Sequence, residues 1–315
     1  MKRRKHFFLL SCVILLFAGI VAIPAKTFAQ EGVGLRLSPV TFELTANPGD
    51  TLVNKVRIWN PTTTIISVKM EAEDFVPMGE TGEVLIVEPD ETKTFSLARW
   101  VTTSPDEFTL APGEDKFVDF YIDVPQNAEP GSHYGSVLAT TRAVLGEGIT
   151  GVGTAQKVGT LVLLIVSGKM EESLKVKEFS APSFSEYGPV EFLIRFENQG
   201  TVHVRPRGFV TITNWRGKKA VDIEFPQMNV IPGAIRKITA RWDKKVLIGR
   251  YTATLIGSYG ASNNPLEPAI ITFWVFPWKV GAGITAGVLL ALFFFIKTRR
   301  RWFLALRILL KGEKE

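Results

Sequence analysis

Residues 280–296, VGAGITAGVLLALFFFI, run without a single charged side chain, and Lys297-Thr298-Arg299-Arg300-Arg301 follows at once. A run of this length is at the short end for crossing a hydrocarbon core about 30 Å thick. The preceding Phe273-Trp274-Val275-Phe276-Pro277-Trp278 lengthens the apolar region and supplies interfacial aromatics, and the dense arginines after it mark the cytoplasmic side. At the other end, Lys2-Arg3-Arg4-Lys5 precedes an apolar stretch from Phe7 to Ile23, and Thr27-Phe28-Ala29 stands before Gln30. These are the three parts of a secretory signal, with cleavage expected after Ala29 and an uncleaved signal anchor as the alternative. Leu9-Leu10-Ser11-Cys12 is a poor lipoprotein signal, because the apolar core continues past Cys12. The sequence thus predicts a signal peptide at 1–29, one transmembrane helix at 278–296 and a basic cytoplasmic tail at 297–315. The apolar stretch at 303–310, broken by Arg307, is expected to lie at the inner interface. No Leu-Pro-x-Thr-Gly wall-sorting motif precedes the span, so the helix itself is the expected anchor.

The net charge of +6 invites a nucleic-acid reading, but its location removes that reading. Residues 30–168 carry 9 basic and 19 acidic side chains, whereas 169–279 carry 16 basic and 10 acidic ones. The excess of positive charge therefore belongs to the ends that flank the membrane. The two halves of the ectodomain have opposite sign, which means either plain solvated faces or a basic module that attracts anionic wall polymer or lipid headgroups. The only cysteine is Cys12, inside the signal, so the mature chain has no disulfide, no thiolate nucleophile and no cysteine-bound zinc.

Between the ends, apolar residues alternate with polar ones at period two. In Ile66-Ser67-Val68-Lys69-Met70 and in Val118, Phe120, Ile122 and Val124 they fall on one face. Turn signals such as Asn47-Pro48-Gly49-Asp50, Pro112-Gly113, Glu129-Pro130-Gly131 and Pro232-Gly233 separate these runs. The predicted fold is all-β: two tandem Ig-like antiparallel β-sandwich domains, at 30–168 and 169–277, plus one C-terminal transmembrane helix. The halves also match each other. Lys55-Val56-Arg57-Ile58-Trp59-Asn60 parallels Leu193-Ile194-Arg195-Phe196-Glu197-Asn198, and each is a strand ending in an asparagine suited to a turn. Pro112-Gly113 and Pro232-Gly233 then precede strands that lead to Gly131 and Gly249 at nearly equal spacing. An internal duplication is the expected cause, with the junction near 168–173.

Leu37-Ser38-Pro39-Val40-Thr41-Phe42-Glu43-Leu44, Ile58-Trp59-Asn60-Pro61, Ser96-Leu97-Ala98-Arg99-Trp100-Val101 and Leu110-Ala111-Pro112-Gly113-Glu114 resemble the first domain of the Gram-positive WxL-interacting surface proteins. The resemblance runs over roughly residues 35–138 and is weaker in the second half, where 198–206 is the most distinctive stretch. It implies a signal peptide, two Ig-like domains, one transmembrane helix and a basic tail. It further implies peptidoglycan binding by the first domain and a surface-protein partner for the second. The first-domain pattern also resembles bacterial pilus chaperones, which lack such a helix.

The sequence nominates no catalytic, metal or cofactor residue. His133 and His203 fall in different modules, and two histidines without cysteine do not make a zinc set. Gly146-Glu147-Gly148-Ile149-Thr150-Gly151 matches a dinucleotide motif in letters only, because β-like residues follow where a helix is required. The aromatic side chains Trp59, Trp100, Tyr134, Trp215 and Trp242 are either core or a stacking platform for a glycan or peptide. Trp59 is the best surface candidate, since Val56 and Ile58 define the inward face. Arg205 and Arg207, expected on one side of a strand, and the tip at Trp215-Arg216-Gly217-Lys218-Lys219 form the basic candidate. The candidate binding set is therefore Trp59, Trp100, Tyr134, Arg205, Arg207 and Trp215. The expected function is a non-enzymatic, membrane-anchored surface protein that binds wall polymer or another surface protein. The alternative is an extracytoplasmic assembly factor or chaperone acting by β-strand addition, which a long uncovered edge strand favours. Folding without metal or disulfide predicts melting curves in chelator and in reductant that overlay the untreated curve; a clear drop with either contradicts it.

Overall fold

The computed structural model describes residues 34–90, 95–143 and 156–311; the signal region with Ala29 and the glycine-rich 146–151 lie outside them. The chain is all-β with one C-terminal helix. The first domain holds β1 (Arg36–Ser38), β2 (Thr41–Ala46), β3 (Thr51–Trp59), β4 (Ile66–Met78), β5 (Glu83–Val87), β6 (Val101–Ser104), β7 (Glu107–Leu110), β8 (Asp115–Asp123), β9 (Gly131–Ala143) and β10 (Gln156–Val166). One of its sheets runs β1-β3-β8-β6 and the other β2-β10-β9-β4-β5, with β7 also on β4. The second domain holds β11 (Leu174–Ser180), β12 (Phe184–Ser185), β13 (Val190–Asn198), β14 (Arg207–Asn214), β15 (Lys219–Glu224), β16 (Ile235–Trp242), β17 (Gly249–Tyr259), β18 (Asn264–Pro265) and β19 (Ala269–Val275). Its sheets run β11-β13-β16 and β12-β19-β17-β14-β15, with β18 on β17.

The predicted antiparallel pattern has one exception in each domain. β2 pairs parallel with β10, and β12 pairs parallel with β19. In both, the opening segment is split between the two sheets, so its second part returns beside the last strand in the same direction. The alternation that predicted the strands also sets the cores. Val118, Phe120 and Ile122 of β8 are fully buried in the first core, and Phe192, Ile194 and Phe196 of β13 in the second.

A buried asparagine closes each sandwich. Asn60 donates from Nδ2 to the carbonyl oxygens of Thr64 at 2.8 Å and of Leu110 and Ala111 at 3.1 Å, and its Oδ1 accepts the Thr62 N–H at 3.0 Å. Its main chain exchanges bonds with the Pro112-Gly113 turn: its N–H donates to Glu114 O and its carbonyl accepts the Gly113 N–H, both at 2.9 Å. Asn198 repeats this in the second domain. Its Nδ2 donates to Val202 O at 2.8 Å and Val230 O at 2.7 Å, and its Oδ1 accepts the Gly200 N–H at 2.9 Å. Its carbonyl accepts the Gly233 N–H at 2.9 Å. Gly113 and Gly233 have φ of +75° and +73°, a left-handed turn conformation that glycine adopts without strain.

The C-terminal helix, α1 (Trp278–Lys311), is continuous where the sequence suggested a break between span and tail. No glycine or proline occurs between Gly287 and Gly312, so nothing in the backbone ends it earlier. Its part Trp278–Arg299 has a mean hydropathy of 2.0, is not buried by the rest of the protein, and is long and apolar enough to cross a membrane. At 1.5 Å per residue it spans about 33 Å.

Asn60→Ala and Asn198→Ala each strand several buried carbonyl and N–H groups. Each is expected to lower the unfolding free energy by about 3 kcal/mol or more in urea titrations of the detergent-solubilised chain. A loss below about 1 kcal/mol would make these pins dispensable.

Candidate functional site

The two domains meet through groups placed by β9, the β4–β5 turn and the segment after β13. Ser132, second residue of β9, donates its N–H to Thr201 O at 3.0 Å, while its hydroxyl accepts the His203 N–H at 2.9 Å and lies 2.7 Å from His203 Nδ1. Gly131 permits this approach, since its φ is +132° and a Cβ there would stand 2.9 Å from Thr201 O. The Lys237 N–H donates to Glu80 O at 2.8 Å, and the Glu80 carboxylate pairs with Arg195. Glu43 of β2 pairs with Arg205 and accepts from Asn229 Nδ2 at 2.7 Å. Among the described residues the acidic first domain and the basic second domain thus meet at two ion pairs. Partly exposed pairs of this kind are screened by water and stabilise little, so they fix register more than they stabilise.

Between the domains is a cleft of two lobes that share Phe75 and Ile231. The larger, about 330 Å³, is bounded also by Phe95, Pro130, Ser132 and Tyr134. The smaller, about 240 Å³, is bounded by Thr41, Leu161, Leu163, Met228 and Arg236. Arg236 is the chemically unusual member. Its Nη2 hydrogen-bonds only the Met228 thioether at 3.3 Å, its Nε is buried without a partner, and it has no ion pair among the described residues. Burial accordingly holds its guanidinium below the ordinary arginine value, with no carboxylate to offset the loss of water. A cleft of mixed polar and apolar lining, with the uncompensated Arg236 guanidinium in its smaller lobe, suits a ligand that brings an anionic oxygen on a partly apolar body.

Beside the smaller lobe, β10 has an edge that is unpaired over part of its length. β9 covers the whole strand on one side, but β2 begins its pairing only at Leu161. On that side no strand among the described residues pairs with 157–160: β1 runs close beside it, with Gly34 against the Gln156 side chain, but its main chain pairs with β3 in the other sheet. The Leu161 N–H bonds Val40 O at 3.0 Å, so alternation turns the main-chain groups of Lys157 and Gly159 the same way, toward the gap.

The residues nominated from sequence do not form one site. Trp59 is half-buried on the outer side of β3, bonds Gly113 O through Nε1 at 3.2 Å and carries the Arg36 guanidinium 5.1 Å from its ring centre. Trp100 packs on the first core and against His133, ring centres 4.5 Å apart. Tyr134 corrects the stacking-platform expectation: it is 4 % exposed, enclosed by Phe75 and Phe95, with burial pushing its phenol well above the usual value. Trp242 is core. Arg205 lies outside the strands, before β14, and is committed to Glu43, which also corrects the shared strand face with Arg207; Arg207 bonds Asn263. Trp215 is 65 % exposed at the β14–β15 turn, under Arg216. Arg236, Ser132 and Ile231 escaped the sequence because each sits in an ordinary strand or turn pattern. Among the described residues no group of three or more His, Cys, Asp or Glu could hold a metal ion.

No protein-family model matches the chain, and no curated protein matches it in sequence. Solved structures do. The Class 5 fimbriae chaperone CfaA matches at 14 % identity and a TM-score of 0.36, covering 76 % of this chain and 99 % of that one. The E. coli chaperone DraB matches at 10 % and 0.35, covering 76 % and 95 %. The Salmonella enterica SafA pilin in complex with the SafB chaperone matches at 12 % and 0.35, with the same coverage. At these values the function has to be read from the chain's own geometry.

The junction itself responds to pH. Burial holds the His203 imidazole down at about 4 against an ordinary 6.5, with Glu43 opposing the shift and Arg205 adding to it. The folded state therefore binds fewer protons than the unfolded one between these values, and stability falls as pH drops from 6.5 toward about 4. Carboxylates such as Glu80 and Glu178, already below their ordinary 4.5, add losses only at the acid end. Thermal melts should decline across the upper part of that window in the parent chain and much less in His203→Gln; equal declines would remove His203 from the account.

Proposed function

We propose that this chain is a non-catalytic, membrane-anchored assembly factor that holds a partner polypeptide outside the cytoplasm by strand addition to β10. The carrying observation is the unpaired edge at 157–160, where the parallel partner β2 has not yet begun and the nearby β1, bonded to β3, would have to give way to an added strand. A polypeptide laid there would extend the line of β2 and meet the main-chain groups of Lys157 and Gly159, each hydrogen bond contributing about 0.5–1.5 kcal/mol. Val158, already packed against the core, faces the interior beside such a strand. The neighbouring cleft would receive a side chain or end of the partner, with Arg236 meeting an acidic group. The arginines that follow the span support an ectodomain outside the membrane and a tail inside. Membership of the WxL-interacting surface proteins fits this placement, and wall-polymer binding by the first domain keeps that resemblance as its only support.

The test uses a photo-crosslinking residue at Val40, which is 72 % exposed at the mouth of the gap, in intact cells. A discrete protein adduct is expected. Lys157→Pro deletes one outward N–H without touching the pairing to β9 and should abolish the adduct at unchanged melting temperature. Lys157→Gln keeps the N–H and should retain the adduct. An adduct that survives Lys157→Pro would refute strand addition.

A further inference from the structure

We infer that the helix-bearing end of the second domain is itself a membrane-docking surface, resting in the headgroup layer of a bilayer that contains anionic lipid. This does not depend on how β10 is used, nor on which side of the membrane the domain lies. The constraint is the connection. β19 ends at Val275 and α1 starts at Trp278, leaving two residues between sheet and span. Two extended residues reach about 7 Å, so whatever is level with the end of β19 is held at the depth of the interface.

Four segments are level with it. Gly249 pairs with Val275, and Asn214 pairs with Tyr251. The Phe276 N–H donates to Ser185 O, and the Gly188 N–H to Lys245 O, both at 3.0 Å. Trp215 packs over Gly249, its Cδ1 being 3.5 Å from where a Cβ would stand. The end of the domain is therefore made of the β14–β15 turn, the loop before β17, the loop after β12 and the start of the helix. Its large apolar side chains point outward: Val246 70 %, Trp215 65 %, Ile248 59 %, Trp274 54 %, Trp278 52 % and Phe276 46 % exposed. So dense an exposed patch is unusual for a surface facing only water, and tryptophan is the side chain that favours the bilayer interface.

The charge has the matching sign. Lys279 is held by Glu186 and Lys219 by Asp222, both at 2.8 Å. Arg216, Lys218, Lys244 and Lys245 make no ion pair among the described residues. Basic residues around an apolar, aromatic patch are the composition that attracts anionic headgroups while the rings seat among them. Docking by this end would stand the sandwich upright on the bilayer instead of leaving it free to tilt on its tether.

The test uses the full chain with Cys12→Ser, reconstituted in nanodiscs and spin-labelled at Val246→Cys, with Val53→Cys, on the outer side of β3 in the first domain, as control. In discs containing phosphatidylglycerol, the label at 246 should be reached by oxygen dissolved in lipid and shielded from a water-soluble nickel chelate, and the control should show the reverse. Lys218→Glu/Lys244→Glu/Lys245→Glu should raise nickel access at 246 severalfold at unchanged melting temperature. Replacing phosphatidylglycerol by phosphatidylcholine should do the same to the parent protein, independently of any variant. Nickel access at 246 equal to the control overturns the inference. So does protection that ignores both lipid charge and charge reversal, or protection that appears only when peptidoglycan fragments are added.

Discussion

Each sandwich is pinned by one buried amide side chain. Asn60 and Asn198 end the central strands β3 and β13, and from there each reaches carbonyl groups on chain segments far away in sequence, at Leu110 and Val230. An asparagine is suited to this place because a single planar group offers two donors and one acceptor in fixed directions. The next turn is satisfied by the Oδ1, and the distant Pro-Gly turn is held by the main chain of the same residue. With that turn fixed, β8 enters beside β3 and β16 beside β13 in register, so the inward Val118, Phe120 and Ile122, or Ile238, Ala240 and Trp242, land on the core face. A one-residue slip would turn all of them outward.

The junction between the domains uses weaker forces and achieves a different result. Exposed ion pairs and a serine–histidine contact bring the domains together without filling the space between them, and the cleft at Phe75 and Ile231 is what remains. Two pairs of opposite charge are matched across the junction, Glu43 with Arg205 and Glu80 with Arg195. Arg236 has no such partner, and it lines the smaller lobe next to the unpaired edge of β10. A stable scaffold with a rigid register thus leaves the unpaired main-chain groups of β10 and the Arg236 guanidinium near each other. Unsatisfied groups held by a rigid frame are what a partner can meet without first ordering the protein.

The short connection to the helix ties this architecture to the membrane. A flexible linker would let the domains sample many heights, whereas the two residues after Val275 keep the second domain close to the start of the helix. The charge imbalance of the sequence is thereby divided between two uses: part of it closes the domain junction, and part collects at the end where the helix leaves.

Much of the fold was legible in the sequence because its causes are local. Period-two alternation named the strands, proline–glycine pairs named the turns, and an uncharged apolar run named the span; each depends only on neighbours along the chain. Even the equivalence of Asn60 with Asn198 could be read, since a duplicated strand carries its turn residue with it. The opposite charges of the two halves were legible too, but not their partners. Glu80 and Arg195 are 115 positions apart, and Glu43 and Arg205 162 apart, so only the packed domains decide that they meet. For the same reason Tyr134 turned from a surface candidate into a wall of the cleft, and an arginine in an ordinary strand came to lie partly buried at the cleft with no ion pair among the described residues. Alternation tells which face a side chain takes; whether that face meets water, a second domain or a cleft is settled only when residues distant in sequence come to share the same space.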